Sequence, residues 1–322
     1  MPYTSLVDIL QARKRIAPYV RRTPLVHSHW LSDLAGAHVS LKLETAQVSN
    51  SFKARGAFNA VLARLERSRS APAQLVKASA GNHGRGLAAA AHAFKIPLVV
   101  FTPADAPQAK LAAIRRHGAE LRAIGRDYDD AEKLAKAFAK DSGAEFISPY
   151  SDADVIAGGG TIALELFEDA ATLNTVIVPI GGGGLISGVA AAAKAIAACE
   201  VIGVELEVSC PFQTSVRVGH LVEIKPGPTL ADGLGGNPDP ETITFEPIQR
   251  LVDRIVTVSE ASLAAAVVGL VEAEHVIAEG AGAAATAAIV GRHADVRGRN
   301  VAAIVTGANI DRARLAGIIN GV

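Results

Sequence analysis

From residue 74 to residue 205 the chain switches repeatedly between two hydrophobic periods, and few folds accommodate that alternation. Short β-branched or alternating runs read as strands over 74–79, 97–102, 120–124, 145–148, 175–180 and 200–205. Between them, longer stretches with helical spacing fall at 84–94, 108–117, 129–142, 160–168 and 185–198. A strand that follows a helix in this way is joined to its predecessor by a crossover, which suits parallel pairing rather than hairpins. An α/β class is therefore expected, with parallel sheets covered by helices on both faces. Strands over 38–44, 255–258 and 300–305 and helices over 6–20, 54–67, 262–275 and 281–290 flank these runs. Arg22-Thr23-Pro24-Leu25 reads as a breaker. Residues 219–247 are richer in glycine and proline and weaker in periodicity, so they read as loop or active-site wall.

Length and charge narrow the function classes. At 322 residues the chain has room for two domains of ordinary size. Lysine plus arginine and aspartate plus glutamate both number 32, so no excess charge draws the chain to nucleic acid or to an anionic membrane. The alanine-rich run 189–198 is interrupted by Lys194 and falls short of the ~20 apolar residues of a membrane span. The first eight residues carry neither the basic nor the apolar region of a secretory signal. Cys199 and Cys210 are too far apart for a C-x-x-C pair, so both thiols are expected to pack rather than react. These features predict a soluble, cytoplasmic protein without nucleic-acid or membrane partners.

Four stretches carry chemistry. Lys53 follows Phe52 at the start of the 54–67 helix, with Ser49, Asn50 and Ser51 supplying capping oxygens. Helix N-terminal amides and an apolar ring both disfavour an ammonium, which would make Lys53 a usable amine nucleophile or base. The competing account is a surface lysine snorkelling from an amphipathic helix. Gly181, Gly182, Gly183 and Gly184 lie between a β-branched strand and an alanine-rich helix, where successive N–H groups can form a nest for a phosphate. A Walker A loop would need Gly-Lys-Ser/Thr where Leu185-Ile186 stands, and the dinucleotide pattern lacks its third glycine at Ile186 or Ser187. Glu205, near the end of the next strand, keeps a nicotinamide enzyme open as an alternative. In Ser79-Ala80-Gly81-Asn82-His83-Gly84 the exposed amides and the hydroxyl could hold a substrate carboxylate, although an ordinary strand-to-helix turn would look the same. Val305-Thr306-Gly307-Ala308-Asn309 would present Thr306 at the carboxyl edge of a sheet.

Taken in order, these pieces resemble the fold type II pyridoxal-phosphate enzymes, the tryptophan-synthase-β-like group. Within it the resemblance is to the threonine/serine dehydratase and serine racemase branch. The matching stretches are Arg22-Thr23-Pro24-Leu25, Ser51-Phe52-Lys53-x-Arg55-Gly56-Ala57, the Ser79 to Gly84 turn, Val155-Ile156-Ala157-Gly158-x-Gly160-Thr161 and the four glycines. Thr229-Leu230-Ala231-Asp232-Gly233, Glu279-Gly280-Ala281-Gly282-Ala283 and Thr306-Gly307-Ala308-Asn309 complete the set, which spans nearly the whole chain. The resemblance implies two parallel-type α/β domains with pyridoxal 5'-phosphate in the cleft between them. A smaller domain of residues 51–150 would be inserted into a larger one of residues 1–50 and 151–322. Lys53 would carry the cofactor covalently, Phe52 would pack beside its ring and Asn82 would bond the ring hydroxyl. Gly181, Gly182, Gly183 and Gly184 would cradle the phosphate, and Thr306 would meet the pyridine nitrogen. Ser79, Ala80, Gly81, Asn82 and His83 would bind the substrate. The implied reaction is α,β-elimination from an L-β-hydroxy-α-amino acid to a 2-oxo acid and ammonia, catalysed by a homodimer.

Departures from the family pattern sharpen that expectation. Racemases of the group resemble Ser-Ser-Gly-Asn-His, and here the second serine is Ala80, which cannot move a proton. Dehydration with little racemisation is therefore expected, with a racemase as the alternative and a catalytically silent cofactor-binding protein as a third reading. The family's divalent-cation site would pair Glu205 with an aspartate where Pro211 stands, so no metal is expected. Gly159 and Arg85 replace glutamines, and Arg85 reads either as a partner for an acidic substrate or as a solvated helix-face residue. The chain ends soon after Asn309, so isoleucine feedback through a regulatory domain is not expected. Serine and threonine are the default substrates, and 3-hydroxyaspartate and phenylserine suit the same machinery. Tyr150, Ser151, Asp152 and residues 234–240 are candidate specificity walls.

Overall fold

The computed structural model describes residues 4–67, 72–78, 81–106 and 108–321. Among them are strands at Leu25–His27 (β1), His38–Leu43 (β2), Leu75–Ala78 (β3), Leu98–Pro103 (β4) and Glu120–Gly125 (β5). Glu145–Phe146 (β6), Thr175–Pro179 (β7), Glu200–Leu206 (β8), Arg254–Val258 (β9) and Asn300–Val305 (β10) follow. They build two sheets, one in the order β5-β4-β3-β6 and one in the order β1-β2-β10-β7-β8-β9. Every pairing is parallel except that of β1 with β2. The α/β class read from the alternation is the class observed.

The strands are apolar in sequence because both faces of each sheet are covered. Along β10, Val301, Ala303 and Val305 point into one core with the helices Glu260–Glu272 and Gly280–Val290. Ala302 and Ile304 point into the other, with the helices Ala153–Asp169 and Gly184–Ile196. In the smaller sheet Leu75, Leu98 and Val100 meet the helices Lys53–Arg67 and Asn82–Ala93. On its opposite face Val76, Ala78, Val99 and Phe101 meet Ala131 and Ala135 of the helix Tyr128–Ser142.

One pairing positions the site. β2 lies beside β10 in parallel register, with Leu43 opposite Val305. The residues that leave β2 toward Lys53 and those that leave β10 at Thr306 therefore emerge side by side, at the carboxyl edge of the sheet, although they are far apart in the chain. Ser51 then forms a bridge with Gly307, and the Phe52 N–H donates to the Thr306 carbonyl at 3.0 Å.

Some elements differ from their expected bounds. Leu25 opens an antiparallel edge strand instead of merely following a breaker. The helix expected from residue 160 begins at Ala153, because Asp152 accepts the N–H groups of Asp154 and Val155 and caps it upstream of its glycines. The helices His29–Ala35, Pro211–Val218 and Phe245–Leu251 were not read from periodicity, since seven or eight residues give little more than two turns of pattern.

Candidate active site

Lys53 is the first residue of its helix and is half-buried. Its ammonium donates to the Pro149 carbonyl at 2.9 Å and lies 5.0 Å from the centroid of the Phe52 ring. Burial lowers its pKa from 10.5 to about 8, so roughly a tenth of the amine is free at pH 7, far more than for an ordinary lysine. The capping oxygens expected before it are not used: the Ser49 and Ser51 hydroxyls are buried without a hydrogen-bond partner among the described residues. Ser49 and Asn50 instead hold left-handed backbone, with φ of 64° and 56°. That conformation is costly without glycine, and it turns the chain so that the Asn50 carbonyl accepts the Ala308 N–H at 2.9 Å.

The four glycines run from the end of β7 into the helix Gly184–Ile196. The N–H groups of Gly181, Gly182 and Gly183 find no acceptor among the described residues, which leaves a row of donors at a helix N-terminus. Side chains are excluded by the walls. A Cβ on Gly182 would overlap the Tyr150 ring, and one on Gly183, where φ is +85°, would sit 2.8 Å from Thr244 Oγ1. Thr244 Oγ1 also donates to the Gly182 carbonyl at 2.9 Å and fixes the loop from the 219–247 segment.

Asn82 opens the helix Asn82–Ala93 with Gly81 as its cap residue. Its Nδ2 donates to Glu279 Oε1, and its Oδ1 accepts from Asn309 Nδ2 at 2.7 Å. Arg85 Nη1 donates to Asn309 Oδ1 at 2.7 Å. Arg85 is thus a half-buried support of this network, and not the solvated helix-face residue that its position suggested. Gly307 permits the crowding: a Cβ there would meet Glu279 Oε1 at 2.5 Å. Thr306 is buried, and among the described residues its hydroxyl makes only a long contact, 3.4 Å, to the Ala281 carbonyl. His83 is buried with its pKa held well below 6.5, first by burial and then by the charges of Lys77 and Lys53. The expected substrate contacts at Ser79 and Ala80 lie outside the described residues.

Three further groups depart from their sequence reading. Glu205 accepts the N–H groups of Phe212 at 2.9 Å and Gln213 at 2.7 Å, and its burial pushes its pKa up to about 7. A carboxyl so engaged does not present itself to a ribose, which removes the structural basis of the nicotinamide alternative. Asp152 is a helix cap that also pairs with Arg64 at 2.7 Å, so it does not wall the cleft. Tyr150 does, with its ring over the glycine loop and its hydroxyl accepting the Asp239 N–H at 2.9 Å. Sequence reasoning gave no role to Glu279, Asn309 or Arg55, although all three stand in the matching stretches. It missed Lys77 altogether.

The residues present fit pyridoxal phosphate. A half-buried amine of lowered pKa, a row of unengaged N–H groups and a buried, weakly bonded hydroxyl supply partners for an aldehyde, a phosphate and a ring nitrogen. Comparison with known proteins agrees. Residues 16–307 match the family model described as pyridoxal-phosphate dependent enzyme. The chain is 41% identical over 319 residues to an L-threonine ammonia-lyase of Thermotoga maritima, covering 98% of this chain and 78% of that protein. It superposes on maize serine racemase with a TM-score of 0.91 at 30% identity, covering 99% of this chain and 97% of that one. On the processed form of threonine deaminase isoform 2 from Solanum lycopersicum the TM-score is 0.90 at 32% identity, with 99% of this chain and 90% of that one covered. The chain belongs to the pyridoxal-phosphate dependent enzymes of fold type II, in the branch of the threonine dehydratases and serine racemases.

Proposed function

We propose that this chain is an ammonia-lyase that converts an L-β-hydroxy-α-amino acid to a 2-oxo acid and ammonia, with Lys53 as its catalytic base. The observation that carries the reading is the Lys53 amine of lowered pKa, bonded to the Pro149 carbonyl beside the Tyr150 whose ring covers the glycine loop. Relatives named as threonine ammonia-lyase and catabolic threonine dehydratase support it. Residues 51–150 would form the smaller domain and residues 1–50 and 151–322 the larger, with the site between the two sheets.

Pyridoxal phosphate, when bound, withdraws electrons from the substrate's α-carbon and so acidifies its α-proton. The protein's own groups do the rest. Gly181, Gly182, Gly183 and Gly184 hold the phosphate through backbone N–H groups, and Phe52 packs against the ring. Asn82 meets the ring hydroxyl, and Thr306 meets the ring nitrogen as a neutral partner. Ser79, Ala80, Gly81, Asn82 and His83 would bind the substrate, with its carboxylate at the N-terminus of the helix Asn82–Ala93. With the carboxylate held there, the free Lys53 amine takes the α-proton, and the β-hydroxyl departs as water with a proton returned by the Lys53 ammonium. Ala80 has no group that can move a proton, so racemisation is minor.

The same reading makes the enzyme a cytoplasmic homodimer, and light scattering on the purified protein checks the dimer. No helix among the described residues is long and apolar enough to cross a membrane. The decisive experiment combines the visible spectrum of the holoenzyme with a panel of β-hydroxy amino acids scored for ammonia and 2-oxo acid. Lys53→Ala should lose both the absorbance of the lysine-bound cofactor and turnover; retention of both would sink the assignment. Appreciable D-enantiomer formed in deuterium oxide would favour the racemase reading instead.

A further inference from the structure

We propose that Lys77 binds a second carboxylate of the substrate, which makes the preferred substrate a β-hydroxy-α-amino acid with an acidic side chain. This inference rests on the ammonia-lyase reading above and names its substrate class.

Lys77 lies on β3, paired in register with Val100, and is completely buried. Its Nζ has no hydrogen-bond partner among the described residues. Nothing in the packing asks for an ammonium there, since Leu75 and Val100 are the apolar neighbours on the same face of the sheet. An unpaired cation in an apolar interior opposes folding, so its retention points to a partner that arrives from outside.

The position of Lys77 says where that partner sits. β3 ends at Ala78, three residues before the Gly81 cap of the helix whose N-terminus takes the α-carboxylate. Lys77 is close enough to Lys53 and His83 for their charges to oppose one another. Glu132 and Lys136, on the helix Tyr128–Ser142, act on it from another side, and burial brings its pKa down to about 7. The carboxylates nearby are already engaged: Lys136 Nζ lies 3.2 Å from Glu132 Oε1 and 2.6 Å from Asp239 Oδ2. Lys136 thus engages both Glu132 and Asp239, Lys53 donates to the Pro149 carbonyl, and Lys77 alone of the three amines has no hydrogen-bond partner among the described residues. A β-carboxylate on the substrate would complete the pairing and hold Lys77 protonated. Serine and threonine would leave it unmatched.

The test uses the holoenzyme and its Lys77→Met variant with L-serine, L-threonine and the diastereomers of 3-hydroxyaspartate. For wild type, kcat/KM should favour one 3-hydroxyaspartate diastereomer over serine and threonine by about tenfold or more, the worth of a charge-assisted hydrogen bond. In Lys77→Met that ratio should collapse by a similar factor. A wild-type preference for serine or threonine, or a ratio unchanged in the variant, would overturn the proposal. Binding supplies an independent readout: succinate should inhibit or stabilise the wild type more than butyrate does, and the difference should vanish in Lys77→Met. If no hydroxy amino acid is turned over, the ammonia-lyase reading has failed. Succinate binding then decides the role of Lys77 alone, and equal effects of succinate and butyrate would reject it.

Discussion

Lys53 and Lys77 are both amines that burial makes easier to deprotonate, yet one donates to a carbonyl and the other has no hydrogen-bond partner among the described residues. That difference can be measured in the cofactor-free protein. The folded-state pKa of Lys77, about 7, lies below its unfolded value of 10.5, so between those values the unfolded chain binds more protons. The cost of burying this group is absent above pH 10.5 and grows as pH falls toward 7. Lys77→Met should therefore stabilise the apoprotein most near pH 7, and its advantage should shrink as pH rises to 10, read from urea midpoints. Glu205 has the opposite sign: its folded pKa, about 7, lies above 4.5, so its contribution is present below pH 4.5 and lost as pH rises through 7. Glu205→Gln should lose most, relative to wild type, at the acid end of that window, and its deficit should shrink as pH rises. At the glycine loop, Gly182→Ala would drive a methyl into the Tyr150 ring. The variant should bind cofactor more weakly, by about tenfold or more on the scale of overpacking penalties, read by absorbance titration.

At the level of elements, the helix that carries Lys53 is pinned by charge and by close approach. Arg55 is buried and makes hydrogen bonds to Glu44 at 2.8 and 2.9 Å and to Glu165 at 2.6 and 2.9 Å. Lys42 completes the cluster at 2.7 Å from Glu165. Glu44 follows β2 and Glu165 lies on the helix Ala153–Asp169, so the Lys53 helix is tied to the six-stranded sheet and not only to the four-stranded one. Arg55→Met would leave two buried carboxylates short of a partner and should cost about 3–5 kcal/mol in denaturant unfolding, as breaking such clusters does. Close approach does the rest: a Cβ on Gly158 would lie 2.5 Å from the Arg55 carbonyl. Arg55 and Gly158 stand in stretches that the sequence singled out, but their purpose was not legible there. Glu165 is 110 residues from Arg55, and periodicity carries no information about which buried charge meets which.

At the scale of the molecule, the 219–247 segment is fastened across the cleft. Asp239 pairs with Lys136 at 2.6 Å and gives its N–H to the Tyr150 hydroxyl, while Ile243 gives its N–H to Ser151 Oγ at 3.1 Å. The Lys136–Asp239 pair is partly solvated, so it contributes less than about 1 kcal/mol to stability. Its effect should show in closure instead: Asp239→Asn should raise KM and speed proteolysis of this segment while leaving the melting temperature nearly unchanged. The alternation of strand and helix periods, the glycine loop and the reactive-lysine stretch were determined by the sequence alone, because each is a local pattern with a local physical cause. The sequence did not say that β2 and β10 would lie side by side and bring Ser51 to Gly307. Nor did it say that Tyr150 would close over Gly182, or that Lys77 would be enclosed without a hydrogen-bond partner among the described residues. Those outcomes depend on which distant surfaces meet when two sheets bury both their faces, and only the tertiary structure decides that.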